Sequence, residues 1–410
     1  MSRQPSRIRA ALHSFLPMTS NILKLNIFAA LKMMLFPMAI ITVFWKDQIG
    51  LSLSEILLVN VFFSAANLLM EYPSGYVSDQ LGYRLALVIA CLFGIGGWTA
   101  YLFAHTFWHV IGAELLLGVC YAFISGSDNA LLYETLRAGG RTELYTRCDG
   151  RMAGWAQIGE ACGALCAGLM YVTAPLLPFM VQIGVWGIAL AVSLSLHEPK
   201  AEKGPKITSH LSEALRISRY GLVEKKLLRA TMLLGMLLGL ASFYPVWLVQ
   251  PFMQQCGVPV AWFGPVWAGA NLMVALCAYH SHKVLAVLGL RRMCLLFLVL
   301  IVAGYAGLGL TSMVGSFLFY FLLTAMRGLQ GPILRSFLQQ HSTRSMRASI
   351  LSLHNLLFRL GYVVSGPLVG WVSDTRGLQT AFLALACAFA LLLPLAARSF
   401  LRHQMESEEL

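Results

Sequence analysis

The chain is short of charge. Of its 410 residues only 12% are Asp, Glu, Lys or Arg, where soluble domains carry about 25%. That scarcity excludes water as the main solvent. The residue patterns of enzyme chemistry are missing as well: there is no HExxH, no GxSxG and no His-rich cluster. No nucleotide motif occurs either, so neither catalysis nor ATP drive by this chain alone is expected, and no cofactor. The nine cysteines are odd in number and scattered, mostly within apolar runs, which rules out a disulfide framework. Cys162 and Cys166 lie four apart and could reach a soft metal, but His ligands at the required spacing are absent, so no metal is expected. His105 and His109 share one helix face near an outer interface, where their tips would meet water.

What is abundant is apolar sequence, 58% of the chain. A hydrocarbon core about 30 Å thick takes about 20 apolar residues per helix. Runs of that length recur at 23–45, 55–77, 84–104, 108–133, 147–172, 175–196, 229–253, 260–281, 293–311, 315–337, 347–372 and 378–398. The expected fold is thus all-α and integral to a membrane, with twelve transmembrane helices in two pseudo-symmetric six-helix halves. The first run is too long for a signal-peptide core and lacks a small-residue cleavage site, so it reads as a permanent helix.

Lys and Arg gather on one side: at Arg3, Arg7 and Arg9, at Arg84, and in 137–147, 200–229, 282–292 and 341–347. The opposite loops offer only Lys46 and Arg376. By the positive-inside rule both termini are cytoplasmic, in a cytoplasmic (inner) membrane. Topology accounts for the net charge of +12, and nucleic acid is not an expected partner. The organisation is then a cytoplasmic segment 1–22, a six-helix half 23–196, a linker 197–228, a second half 229–398 and a tail 399–410.

The halves show weak self-similarity. A shift of 202 lays "GRMAGWAQIGEACGALCAG" (150–168) on "SLHNLLFRLGYVVSGPLVG" (352–370), matching Gly159 to Gly361 and Gly168 to Gly370. A shift of 207 lays "LGYR" (81–84) on "LGLR" (288–291). Parallel six-helix repeats are a transporter arrangement, with the substrate site near the midplane.

The stretch "GYVSDQLGYR" (75–84) resembles the signature loop of the major facilitator superfamily, GxxxD[RK]xGx[RK][RK], with Gly75, Asp79, Gly82 and Arg84 in place. It departs from the pattern at Gln80 and Leu85. The resemblance implies a conformational latch, in which Asp79 meets the amino end of helix 11 and Arg84 pairs with Glu134 at the foot of helix 4. Gly150, Gly159, Gly163 and Gly168 resemble the fifth-helix antiporter motif Gx8GxxxGPxxGG, with Ala164 and Ala167 as departures. Gly159 and Gly163, four apart, would let a neighbouring helix approach closely.

Ionisable groups inside a span mark a pathway or a pair. Lys32, Glu160, Arg327 and Arg359 fall near mid-span, Glu71, Asp128 and His354 in the cytoplasmic halves, and Glu114 at an outer, interfacial level. The resemblance assigns Lys32, Asp128 and Arg327 to a substrate cavity and leaves Glu71, Glu160, His354 and Arg359 on a moving seam. Breaking Glu71–His354 or Glu160–Arg359 there would couple transport to protons, and fixed pairs holding the bundle together are the alternative. Three mid-depth cations against one acid favour an anionic or zwitterionic solute. Aromatics in "FYPVW" (243–247) and "AWFGPVW" (261–267) could stack on a planar ligand or simply pack, and Pro37, Pro245 and Pro265 could bend helices. The expectation is a monomeric, proton-coupled exporter of a small organic metabolite, siderophore-like compound or drug. An importer of an anionic nutrient and a non-transporting receptor remain open.

Overall fold

The computed structural model describes residues 4–199, 218–342 and 346–408. The basic core of the expected linker, 200–217, and residues 343–345 of the loop after the tenth span lie outside the described residues. Among the described residues all regular structure is helical. The long helices are α1 (Gln4–Met33), α2 (Leu53–Leu81), α3 (Tyr83–Tyr101), α4 (Phe107–Ile124), α5 (Ser127–Ala138), α6 (Tyr145–Thr173), α7 (Leu177–Ser195), α8 (Lys226–Gln255), α9 (Phe263–Leu310), α10 (Tyr320–Gln340), α11 (Arg347–Arg376) and α12 (Leu378–Glu408).

Ten helices among the described residues are long and apolar enough to cross a membrane. One of them, Val260–Leu310, has 51 residues, enough to cross twice. Its corner is Gly289, at φ 70°, a left-handed conformation open to glycine. Helix α6, less apolar, is the remaining span of the twelve-helix fold. The expected fourth span is two helices, α4 and α5, broken at Ser125–Gly126, where Gly126 takes φ 81°. The expected tail is helical too, since α12 continues to Glu408.

The first span is interrupted as well. Helix α1 stops at Met33, a short 3-10 helix follows at Phe36–Ala39, and single turns cover Ile41–Phe44 and Trp45–Ile49. Pro37 is the local cause: it has no N–H for the Met33 carbonyl and its ring would crowd that carbonyl, whereas it fits the first turn of the 3-10 helix that starts after Leu35 leaves helical backbone at φ −100°, ψ 86°.

The chain divides into two compact units. The first is Met1–Phe44 with Val59–Pro205, and the second is Trp45–Leu58 with Lys206–Leu410. The segment Trp45–Leu58, which the sequence boundary places in the first half, thus packs with the second unit.

Candidate functional site

In the first unit the most chemically loaded place is the break in α1. In a continuing helix the Phe36 N–H would bond to the Lys32 carbonyl. Instead Phe36 N donates to Gln182 Oε1 of α7 at 2.9 Å, and the Lys32 carbonyl accepts from the Tyr121 hydroxyl of α4 at 3.3 Å. One lost backbone bond is replaced by two tertiary ones, which satisfies both groups at a half-buried position.

The break puts Lys32 in the last turn of α1, where a cation is favoured by the helix dipole. Its ammonium forms an ion pair with Asp128, which lies in the first turn of α5, where an anion is favoured. The positive φ of Gly126 starts α5 at that level, and Ser127 beside it is tied to Ser78 of α2 at 2.9 Å. The pair is sheltered: the Lys32 side chain is 18% exposed and that of Asp128 4%. Lys32 and Asp128, read separately from the sequence as cavity residues, are therefore each other's counter-ions.

Helix α6 presses on the same break. A Cβ at Gly159 would collide with the Ala30 carbonyl, and one at Gly163 would lie 2.8 Å from Leu35 N. Only hydrogen at these positions allows the two backbones to come so close. Glu160, half-buried between them, lies in the electrostatic neighbourhood of Tyr121. The other two glycines of the pattern differ, since Gly150 faces open space and Gly168 is buried. Glu114, expected at an interface, is instead buried and bonded to the Tyr101 hydroxyl, because Tyr101 of α3 supplies a donor inside the unit.

A second polar network in this unit involves the signature loop. The expected pairing of Arg84 with Glu134 does not form. Arg84 Nη2 donates to the Leu194 carbonyl at the end of α7, at 2.6 Å, while Glu134 takes Arg137 one turn along its own helix at 3.5 Å. The open carbonyls of a helix C-terminus attract a guanidinium, and Glu134 has a nearer cation. The carboxylate that does serve this loop is Glu198, which accepts from Tyr83 N at 3.1 Å and Arg84 N at 2.6 Å and so caps α3. Gly82 makes room for it: its φ is 103°, and a Cβ there would lie 3.0 Å from Glu198 Cδ. Lys24 donates to the Ser195 carbonyl at 2.6 Å, and Asn21 exchanges two bonds of 2.8 Å with the His197 backbone. Asp79 is exposed near the Tyr83 hydroxyl, and Glu71 and Gly75 are exposed on the same stripe of α2, with open space around Gly75.

The second unit is built around aromatic rings. Phe243 packs edge-on against Phe358 and Tyr362, with centroids 5.4 and 4.9 Å away. The "FYPVW" stretch is therefore at least in part a packing element. Helix α8 runs unbroken through Pro245, whose missing N–H would orphan the Ala241 carbonyl, and the buried Tyr305 hydroxyl donates to that carbonyl at 2.7 Å. Tyr244 and Ser365 share a bond of 2.5 Å. His354 of α11 packs on α8, its ring 2.5 Å from where a Gly235 Cβ would be, and its Nδ1 is buried without a hydrogen-bond partner. Arg359 is half-buried and Arg327 exposed.

The start of α2 belongs to this unit. Asp374 of α11 accepts from Leu53 N at 2.8 Å and Ser54 N at 2.9 Å, and also from the Ser54 hydroxyl. Tyr362 donates to the Leu57 carbonyl at 2.9 Å, and Trp45 stacks on Trp247 with centroids 5.9 Å apart.

Twelve-span topology, a signature loop held at a helix junction and a charged pair at an interrupted helix are the features against which relatives can be judged. The Major Facilitator Superfamily profile matches residues 24–365. The chain belongs to that superfamily. It is an integral membrane transporter and not an enzyme. An uncharacterized MFS-type transporter, YxaM of Bacillus subtilis (strain 168), is 22% identical over 360 residues, covering 81% of this chain and 84% of its own. The nucleoside transporter NupG superposes with a TM-score of 0.77 at 16% identity over 93% of this chain and 98% of its own. A bacterial homolog of the human lysosomal transporter Spinster, inward-facing and unoccupied, gives a TM-score of 0.71 at 13% identity, over 98% of this chain and 99% of its own. At such identities these two structures speak for the fold.

Sequence reasoning missed Tyr121, Gln182, Glu198, Tyr305 and Asp374. Gln182 was visible as a polar residue inside an apolar run, and Pro37 and Pro245 announced backbone groups in need of partners. Which side chain would supply them depended on packing.

Proposed function

We propose that this transporter carries a small organic anion or zwitterion out of the cell by alternating access, coupled to protons, in a cytoplasmic membrane with both termini inside. The observation that carries the substrate charge is Arg327. It stands midway along the span Val314–Gln340, is exposed, and has no ion pair among the described residues. A guanidinium facing lipid at mid-depth is disfavoured by at least about 2.5–3.5 kcal/mol, so this face of α10 borders water along a substrate path. Lys32 is already neutralised by Asp128, which leaves Arg327 the stronger candidate to receive a negative group. Transporters of similar fold include one for nucleosides and one in complex with a conjugated peptide, and both classes belong in a substrate panel.

The coupling reading rests on Glu160, which lies beside the two glycines that press on the α1 break. A shift in protonation there acts where the backbone is already interrupted. Glu71, His354 and Arg359 are the further coupling candidates. The latch reading of Gly75, Asp79, Gly82 and Arg84 rests on the bonds of the Tyr83 and Arg84 N–H groups to Glu198 and of the Arg84 side chain to Leu194, for which Gly82 leaves room, so that the loop can move with its unit.

Proteoliposomes with an imposed pH gradient test the whole reading. Transport of anionic solutes against their gradient, driven by protons entering from the opposite side, is the expected result. Uptake in the same direction as protons would make the chain an importer. Arg327→Gln should weaken anionic analogues more than neutral ones, and equal losses would remove the charge argument. Glu160→Gln should keep exchange and lose uphill transport. Asp79→Asn should slow cycling with ligand binding intact.

A further inference from the structure

The second unit holds a groove of about 500 Å³ that none of the candidate site residues above lines. Its walls are apolar, formed by α8, by the arm of α9 that follows the Gly289 corner and by residues 393–401 of α12, with Leu238, Leu298 and Leu393 among the lining residues. At its mouth stand Arg291, Arg292 and Arg398, and no acidic residue lines it. All three arginines are exposed, and none takes part in an ion pair among the described residues.

The depth of these groups decides what can occupy the groove. Arg398 lies twenty residues beyond Leu378 in α12, roughly 30 Å along the helix, which is the thickness of the hydrocarbon core. Arg291 and Arg292 begin the second crossing of α9 and so mark the same boundary. Polar cations ring the membrane edge while the leucine walls descend into hydrocarbon. An occupant must present an anion at the edge and an alkyl chain below it. A second, smaller groove of about 230 Å³ runs along the other flank of α12 against α8, with Ser399 the one polar residue in an otherwise apolar lining. A ligand with two chains finds room on both sides of the same helix.

We propose that this groove binds an anionic phospholipid of the leaflet that carries the basic loops, with its phosphate held by Arg291, Arg292 and Arg398 and an acyl chain along α8 and α12. The match is one of chemistry: unpaired guanidiniums for a phosphate, leucine walls for a chain. It does not depend on the direction, coupling or substrate of transport.

The test is native mass spectrometry of the purified full-length protein titrated with phosphatidylglycerol or with zwitterionic phosphatidylethanolamine. Wild type should retain phosphatidylglycerol preferentially. Replacing Arg291, Arg292 and Arg398 together by Gln should weaken that retention on the order of a hundredfold, given the attraction of three basic side chains, and should weaken phosphatidylethanolamine, whose ammonium already offsets its phosphate, much less. Ala397→Trp keeps the arginines and fills the groove, so it should also lower phosphatidylglycerol retention, and it carries the test should the triple variant not fold. Three results would overturn the proposal: equal retention in the variants, equal affinity for the zwitterionic lipid, or complete displacement by inorganic phosphate, which would mark a free-anion site.

Discussion

The two units meet the same problem, a proline within the first apolar run of each half, and solve it in opposite ways. In the first unit the sequence Leu35-Phe36-Pro37 interrupts α1, and the released groups are taken by Gln182 and Tyr121. In the second, Phe243-Tyr244-Pro245 leaves α8 continuous, and Tyr305 takes the Ala241 carbonyl. A tyrosine hydroxyl serves the helix carbonyl in both. The difference lies in what surrounds it. The break in α1 exposes a helix end to a cation and is matched by a helix start carrying an anion, Lys32 against Asp128. The intact α8 has no end at that level and is surrounded by rings. At this break the two helix ends thus help to hold the Lys32–Asp128 pair, because their dipoles supply part of the compensation that water would otherwise give.

The largest effect that would sharpen this contrast is at the ion pair. Asp128→Leu alone should destabilise the protein by about 3–5 kcal/mol, as expected when one member of a buried pair is left unmatched. Combining it with Lys32→Met should restore most of the loss, read by thermal unfolding in detergent. Failure of the double variant to recover would mean that the helix ends, and not the partner charge, hold each group.

Next come the glycines related by the internal repeat. Gly159 faces the Ala30 backbone, whereas a Cβ at Gly361 would meet the flexible Met236 Sδ at 3.1 Å. Gly159→Ala should therefore destabilise by about 1–3 kcal/mol as overpacking against an immovable neighbour. Gly361→Ala should change thermal stability little, and equal effects would break the comparison.

A smaller penalty, about 1–2 kcal/mol, is expected for Gly82→Ala from its left-handed conformation and the nearness of Glu198. Replacement of Gly150, which faces open space, is the matched control and should leave the unfolding temperature in place.

The smallest contrast is between two carboxylates that cap helix starts. Glu198→Gln should loosen α3 by about 1 kcal/mol. Asp374→Asn, at the more exposed start of α2, should do less, since water replaces a lost cap there. Hydrogen exchange at Tyr83–Arg84 and at Leu53–Ser54 would read both.

Much of this was legible in the residues. The run lengths gave the spans, the repeat gave two halves, and the spacing of Gly75, Asp79, Gly82 and Arg84 pointed to the superfamily that the profile match establishes. What misled was distance along the chain. Glu134 was paired with Arg84 by family pattern, yet Arg137 lies one turn away on the same helix. Glu114 was placed at an interface by its position in the span, yet Tyr101 gives it a buried donor.

Hydrophobic run length and the placement of Lys and Arg are properties of single segments, so the sequence by itself determined that this chain crosses a membrane repeatedly and in two related halves. Proline likewise announces its effect locally, by the N–H it lacks. Which group answers that lack is a property of neighbours in space. Gln182 stands 146 residues from Phe36, Asp128 96 from Lys32 and Glu198 114 from Arg84. Hydrogen bonds and ion pairs act over about 3 Å, so only the packing of the helices decided which of the many polar residues would meet, and with that, where charge could be kept inside the membrane.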